Sequence, residues 1–132
     1  MSNASMNFSV KTFLSLAAFQ ALLAVALGAF GAHIVKNIVP LDHLVWWNTA
    51  VQYLMYHSLA SLVCAWMGQK ILTMRYCVLL FTSGNLFFAG SLMTMTLTGT
   101  VWLGAITPIG GTLYILGWLL FIWNIRRDTT SS

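Results

Sequence analysis

From residue 76 through residue 125 the chain carries no formal charge. As one helix that run would be about 75 Å long at ~1.5 Å per residue, more than twice a ~30 Å hydrocarbon core. It must therefore turn back on itself. The sequence offers the break at Thr98-Gly99-Thr100 and again at Thr107-Pro108. Proline suits the first turn of a new helix and Thr107 its N-cap. The solvent follows from composition. Only 6% of the residues are charged, 59% are hydrophobic, and the mean hydropathy is +0.83. Soluble chains carry roughly 25% charged residues, so this surface belongs in a bilayer. A disordered chain, a disulfide-stapled secreted module and a nucleic-acid binder are excluded on the same grounds.

Charges divide the rest of the chain. No formal charge lies between Lys11 and Lys36, or between Asp42 and Lys70. Four transmembrane helices are predicted at about residues 12–33, 46–67, 76–97 and 108–125. Residues 1–11 form a cytoplasmic segment and residues 126–132 a cytoplasmic tail. Lipid offers peptide groups no hydrogen bonds and no strand alternation suggests a barrel, so helices are the available solution. The expected fold class is all-α: a polytopic membrane protein built as an antiparallel four-helix transmembrane bundle. Lys11, Lys70, Arg75, Arg126 and Arg127 fall on one side and Lys36 alone on the other. The positive-inside rule then puts both termini in the cytoplasm, with the protein in the inner membrane. The first apolar run is too long for a signal-peptide core, so a retained helix is expected. Ser2-Asn3-Ala4 reads as a tag remnant, which would start the native chain at Met6.

Polar residues at depth are the informative ones in a membrane. Gln20, His57 and Asn85 lie ~12–15 Å from the cytoplasmic ends of three helices, at nearly one level. Gln52, Tyr53 and Tyr56 add polar atoms just above. One reading is interhelical hydrogen bonding worth roughly 0.6–2 kcal/mol per bond. The sharper one is a proton-accessible or substrate site at His57. The specific expectation is a neutral His57 hydrogen-bonded to Gln20 or Asn85. A second candidate lies at the outer end, where Thr107, Gly110 and Gly111 open a helix whose free amides suit an anion. With His33, Lys36 and His43 nearby, a lipid phosphate would bind there. The alternative is a capped helix start beside solvated loop residues.

No catalytic residue, metal site or cofactor is predicted. His33 and His43 belong to the outer end and His57 lies ~16 Å below, too far to share an ion at ~2 Å bond lengths. Asp42 and Asp128 are the only acids, and neither is at depth. Cys64 and Cys77 lack CxxC spacing and read as packing residues. Small-residue stripes recur in three helices: Ala17, Ala21, Ala24, Gly28 and Gly31 or Ala32 in the first, Gly84, Gly90 and Ser91 in the third, Gly110, Gly111 and Gly117 in the fourth. They let helix backbones approach, within the chain or between copies. The expected partners are membrane lipids and a homo-oligomer, with no nucleic acid and no nameable protein.

Three motifs carry a family resemblance. Gly28-Ala29-Phe30-Gly31-Ala32-His33 resembles the hallmark of the YgdD/YwdK family, small four-helix membrane proteins classed as a domain of unknown function with a mitochondrial counterpart in animals. Thr49-Ala50-Val51-Gln52-Tyr53-Leu54-Met55-Tyr56-His57 is similar to its TAxQYxxYH run. Gly104-Ala105-Ile106-Thr107-Pro108-Ile109-Gly110-Gly111, with Gly117-Trp118, is similar to its GAITPxGG…GW signature. The chain departs from the family's FSGSLY at Ala89 and Met93. The resemblance implies four helices and a bacterial inner-membrane or organellar address. It implies no activity. Three function classes remain open: a non-enzymatic structural or accessory protein acting through oligomer or partner contacts, a lipid- or small-molecule-binding protein or transporter protomer, and a membrane enzyme.

Overall fold

The computed structural model describes residues 6–129, so the proposed tag remnant and the last three residues lie outside the described residues. Four long helices account for nearly all of them, with no strand among the described residues. Helix α1 (Phe8–Phe30) opens where the Asn7 side chain accepts the Ser9 N–H at 3.2 Å. It runs on through a π-helical turn (Gly31–Val35) and a last α-helical turn (Lys36–Ile38). Val39 is extended, at φ −125° and ψ 156°, as the residue before a proline is pushed to be. Helix α2 (Leu41–Met67) starts straight after Pro40, with Asp42 in its positively polarised first turn. Helix α3 (Met74–Thr98) stops at Gly99, whose φ of 68° is the left-handed conformation that favours glycine. A 3-10 turn (Val101–Ala105) leads into helix α4 (Thr107–Thr129).

All four helices overrun the ranges read from the charges. Helix α2 begins at Leu41 rather than residue 46. Charge marks where hydrocarbon ends, whereas a helix continues into the headgroup layer, where water and lipid satisfy its ends. Thr107 is a second correction. It is already helical, and its hydroxyl lies 2.7 Å from that of Ser91 on α3 instead of capping its own helix.

Helix α1 packs on α2, α2 on α3, and α3 on α4, while α1 and α4 share no substantial interface. Order in space follows order in sequence because the connections are too short for anything else. Among the described residues, three stretches are long and apolar enough to cross a membrane: Ser9–Ile38, Met74–Thr98 and Val101–Asp128. Helix α3 is the central one, with 44% of its most apolar stretch buried against 17% for each of the other two. Helix α2 has the length, 27 residues, but Asn48, Gln52, Tyr53, Tyr56 and His57 dilute its apolar character.

Close approach is built from reciprocal notches. A Cβ on Gly84 of α3 would meet the Tyr114 ring at 2.5 Å, and one on Gly117 of α4 would meet the Phe81 ring at 2.6 Å. Each helix thus seats an aromatic ring in the other's gap, the van der Waals contact that must drive association where lipid removes the hydrophobic term. Near the α1–α2 connection, the Trp47 indole fills the space beside Gly31 and donates to the Leu27 carbonyl at 2.9 Å.

Candidate functional site

At the level of Asn85, halfway along α3, three helices are joined by a continuous chain of side-chain hydrogen bonds. Asn85 Nδ2 donates to Gln20 Oε1 on α1 at 2.7 Å, and Tyr114 on α4 donates its hydroxyl to Asn85 Oδ1 at 2.7 Å. The Gln20 amide nitrogen donates to Thr82 Oγ1 on α3 at 3.0 Å and to the Leu16 carbonyl at 3.2 Å. Gln20, Asn85 and Tyr114 are all buried. An amide side chain has two donors and one oxygen, so Gln20 is satisfied at every position.

His57 stands beside this chain, not in it. The expected direct bond to Gln20 or Asn85 is absent. One ring nitrogen, Nδ1, lies 2.8 Å from the Tyr53 carbonyl, and the other, Nε2, accepts from the Trp118 indole at 3.1 Å. A carbonyl only accepts and an indole only donates. The pair therefore specifies a neutral imidazole with its proton on Nδ1. The amides lost His57 because a local carbonyl one helical turn back and an indole on α4 saturate both nitrogens first. The connection survives through a ring: Tyr114 stacks on His57 with centroids 3.5 Å apart and planes 8° from parallel, while its hydroxyl reaches Asn85. Phe81 and Trp118 close the remaining sides.

The other predicted midplane residues point elsewhere. Gln52 and Tyr56 are on the exposed face of α2, and among the described residues neither side chain has a hydrogen-bond partner. The outer anion site is not assembled either. His33 and Lys36 are exposed on the continuation of α1, which makes no substantial interface with α4. Thr107 is engaged by Ser91. Gly110 is buried against the backbone of Phe88, where an added Cβ would lie 2.4 Å from the amide nitrogen. Only Gly111 faces open space, and it borders a groove. That groove, about 500 Å³, runs between α2 and α4 past Tyr53, His57, Pro108, Gly111 and Trp118.

Polar pairing also ties the two ends of the bundle. At the end that holds the α1–α2 connection His43 Nδ1 lies 3.3 Å from the Thr96 carbonyl, and Thr96 donates its hydroxyl to the His43 carbonyl at 3.2 Å. At the opposite end Thr73 donates to Asn124 Oδ1 at 2.7 Å, and the Asn124 amide points at the sulfurs of Met74 and Cys77. Both cysteines are buried and reduced. No group of three or more His, Cys, Asp or Glu side chains is placed to hold a metal among the described residues.

Tyr114 and Trp118 are the site residues missed. The signal was present: Gly110, Tyr114 and Gly117 fall at helical spacing on one buried face, and Trp118 closes the third motif.

Residues 27–111, which contain all of the first two motifs and the Gly104–Gly111 part of the third, match the family described as Protein of unknown function (DUF423). The chain belongs to this family. Curated DUF423-like relatives agree over nearly their whole length. The UPF0382 membrane protein YwdK of Bacillus subtilis (strain 168) is 40% identical over 116 residues, covering 86% of this chain and 94% of the relative. The UPF0382 membrane protein SAB0533 of Staphylococcus aureus is 40% identical over 114 residues, covering 86% and 93%. SSP2132 of Staphylococcus saprophyticus is equally similar, covering 86% and 95%. No solved structure matches. The relatives are named as membrane proteins and the family's function is not known.

In this DUF423 protein the second and third motifs meet in space, since His57 of one accepts from Trp118 of the other. His57→Leu is expected to lower the melting temperature in detergent modestly, through loss of two hydrogen bonds of roughly 0.6–2 kcal/mol each. His57→Lys is expected to be far worse, because an unpaired ammonium at that depth costs at least ~2.5 kcal/mol. Equal melting of the two variants would contradict the buried, neutral role.

Proposed function

We propose that the protein is a non-catalytic integral membrane protein that acts through contacts made in the plane of the bilayer, with other copies or with a partner protein. The observation that carries this reading is that every polar atom of the midplane side chains has a partner. Gln20, His57, Asn85 and Tyr114 use their polar atoms on one another and on Trp118, Thr82 and nearby carbonyls. A general acid, a proton relay or a polar substrate site needs an atom left available for the reactant. Here the polar chemistry is spent on holding the helices in register.

All four helices cross the membrane in this reading, α2 included. Residues 39–40 and 68–73 are the only chain between it and its spanning neighbours, so it must traverse the same thickness. Both termini face the cytoplasm of a bacterial inner membrane, as the charge asymmetry favours. Thiol labelling of Ser132→Cys in intact cells tests the orientation: protection from an impermeant reagent until the membrane is breached is expected, and labelling from outside contradicts it.

A second reading rests on the groove between α2 and α4. Its aromatic walls and open Gly111 suit a lipid chain or a small apolar molecule. Native mass spectrometry after gentle extraction separates the two. Self-association, or a co-isolated protein in fixed ratio, supports the first. A monomer with one stoichiometric lipid supports the second and contradicts the first.

A further inference from the structure

We propose that the outward face of α2 is the seam between copies of this chain, with Gln52 of one copy hydrogen-bonded to Gln52 of the next. This rests on the proposed function and names the surface that serves it. Val45, Asn48, Gln52, Tyr56, Leu59 and Val63 succeed one another at steps of three, four, four, three and four residues, and all are exposed. Steps of three and four are the spacing of a helix–helix seam. The other exposed faces are largely apolar, and the exposed hydroxyls of Thr94 on α3 and Thr112 on α4 are returned to carbonyls of their own helices. Leu86 on α3, for example, is 70% exposed without cost in hydrocarbon.

The middle of the α2 stripe is different. Gln52 lies within about 3 Å of the helix midpoint at ~1.5 Å per residue, and it has no hydrogen-bond partner among the described residues. Asn48 sits one turn toward the outer end and Tyr56 one turn toward the inner end, with no hydrogen-bond partner for either side chain. Hydrocarbon offers these groups no partner, so a polar side chain here favours a second helix.

A second copy is the occupant that fits best. Every copy inserts with the same topology, so copies related by an axis along the membrane normal place equal residues at equal depth. Gln52 then meets Gln52. A carboxamide is both donor and acceptor, so the pair is self-complementary, which a carboxylate or an ammonium would not be. One polar residue within an otherwise apolar seam also fixes register, because any shift along the helix buries both amides against aliphatic carbon. Lipid headgroups cannot reach this depth.

Oxidative crosslinking of Gln52→Cys in native membranes tests the seam, with Leu86→Cys as the control halfway along α3. The native thiols of Cys64 and Cys77 are fully buried and stay in place. A reducible dimer at residue 52 and none at residue 86 is expected. Equal crosslinking at both positions, or a crosslink from residue 52 to a different protein, overturns the proposal. Gln52→Leu raises hydrophobicity and preserves insertion, so it supplies an independent readout. Its dimer fraction in liposomes should fall roughly threefold to tenfold, and unchanged dimerisation contradicts the amide pair. Association in native mass spectrometry without crosslinking at residue 52 overturns this seam and leaves the proposed function standing. A monomer in every assay overturns both.

Discussion

Gly110→Ala is expected to prise α4 away from α3, while Gly111→Ala, one residue further along, is expected to leave the protein intact. The Cβ added at Gly110 would lie 2.4 Å from the Phe88 amide nitrogen, 2.7 Å from its Cβ and 2.8 Å from its Cα. These are backbone and Cβ atoms, which have no rotamer to escape into, so the helix axes themselves must separate. Overpacking of this kind costs about 1–3 kcal/mol. The cost is compounded here because Tyr114, one turn along the same face, loses its seat beside Gly84 and its bond to Asn85. At Gly111 nothing lies within 4 Å of the added Cβ. There the higher helix propensity of alanine, worth about 1 kcal/mol, acts unopposed. Melting of the two variants in detergent checks this pair, and coincident curves would contradict the described contact of α3 with α4.

Asn85→Leu carries the second large effect. The substitution removes the group that joins Gln20 to Tyr114 and leaves an amide oxygen and a hydroxyl buried without their partner. An unsatisfied buried polar group costs about 1–3 kcal/mol, and two are created. Relaxation toward other partners in the membrane reduces the sum, so a loss of about 2–4 kcal/mol is expected. Tyr114→Phe in the Asn85→Leu background removes one of the orphaned groups. The double variant should therefore be no less stable than Asn85→Leu alone. Additive losses would show that the hydroxyl and the amide are not coupled.

Depth was legible in the sequence, and direction around each helix was not. The charge boundaries located the four helices, and Gln20 and Asn85 were placed at one level and do meet. Depth alone also grouped Gln52 and Tyr56 with His57. Five residues of helix turn the chain through about 140° modulo a full rotation, so His57 goes inward and Gln52 outward. Tyr56 lies about 40° from Gln52 and shares its exposed face. Tyr114 and Trp118 escaped notice for a different reason. Their use as a stacking partner and an indole donor depends on which ring faces them across the helix pair. The predicted outer anion site failed on topology: His33 and Thr107 lie toward the same end of the bundle, but α1 and α4 share no substantial interface. Gly110 read as an open helix start instead packs against the Phe88 backbone of α3, where an added Cβ has no room.

The central claim is that the polar midplane is a closed structural lock whose groups are committed to one another. Nitrogen-15 resonances of the His57 ring, recorded on protein in lipid bilayers, test it most directly. The lock predicts a single neutral tautomer with protonated Nδ1, unprotonated Nε2 and a through-space contact from Nε2 to the Trp118 indole proton. An imidazolium, an Nε2-protonated ring or a freely exchanging mixture would contradict it, and would return His57 to the status of a site open to protons or ligand.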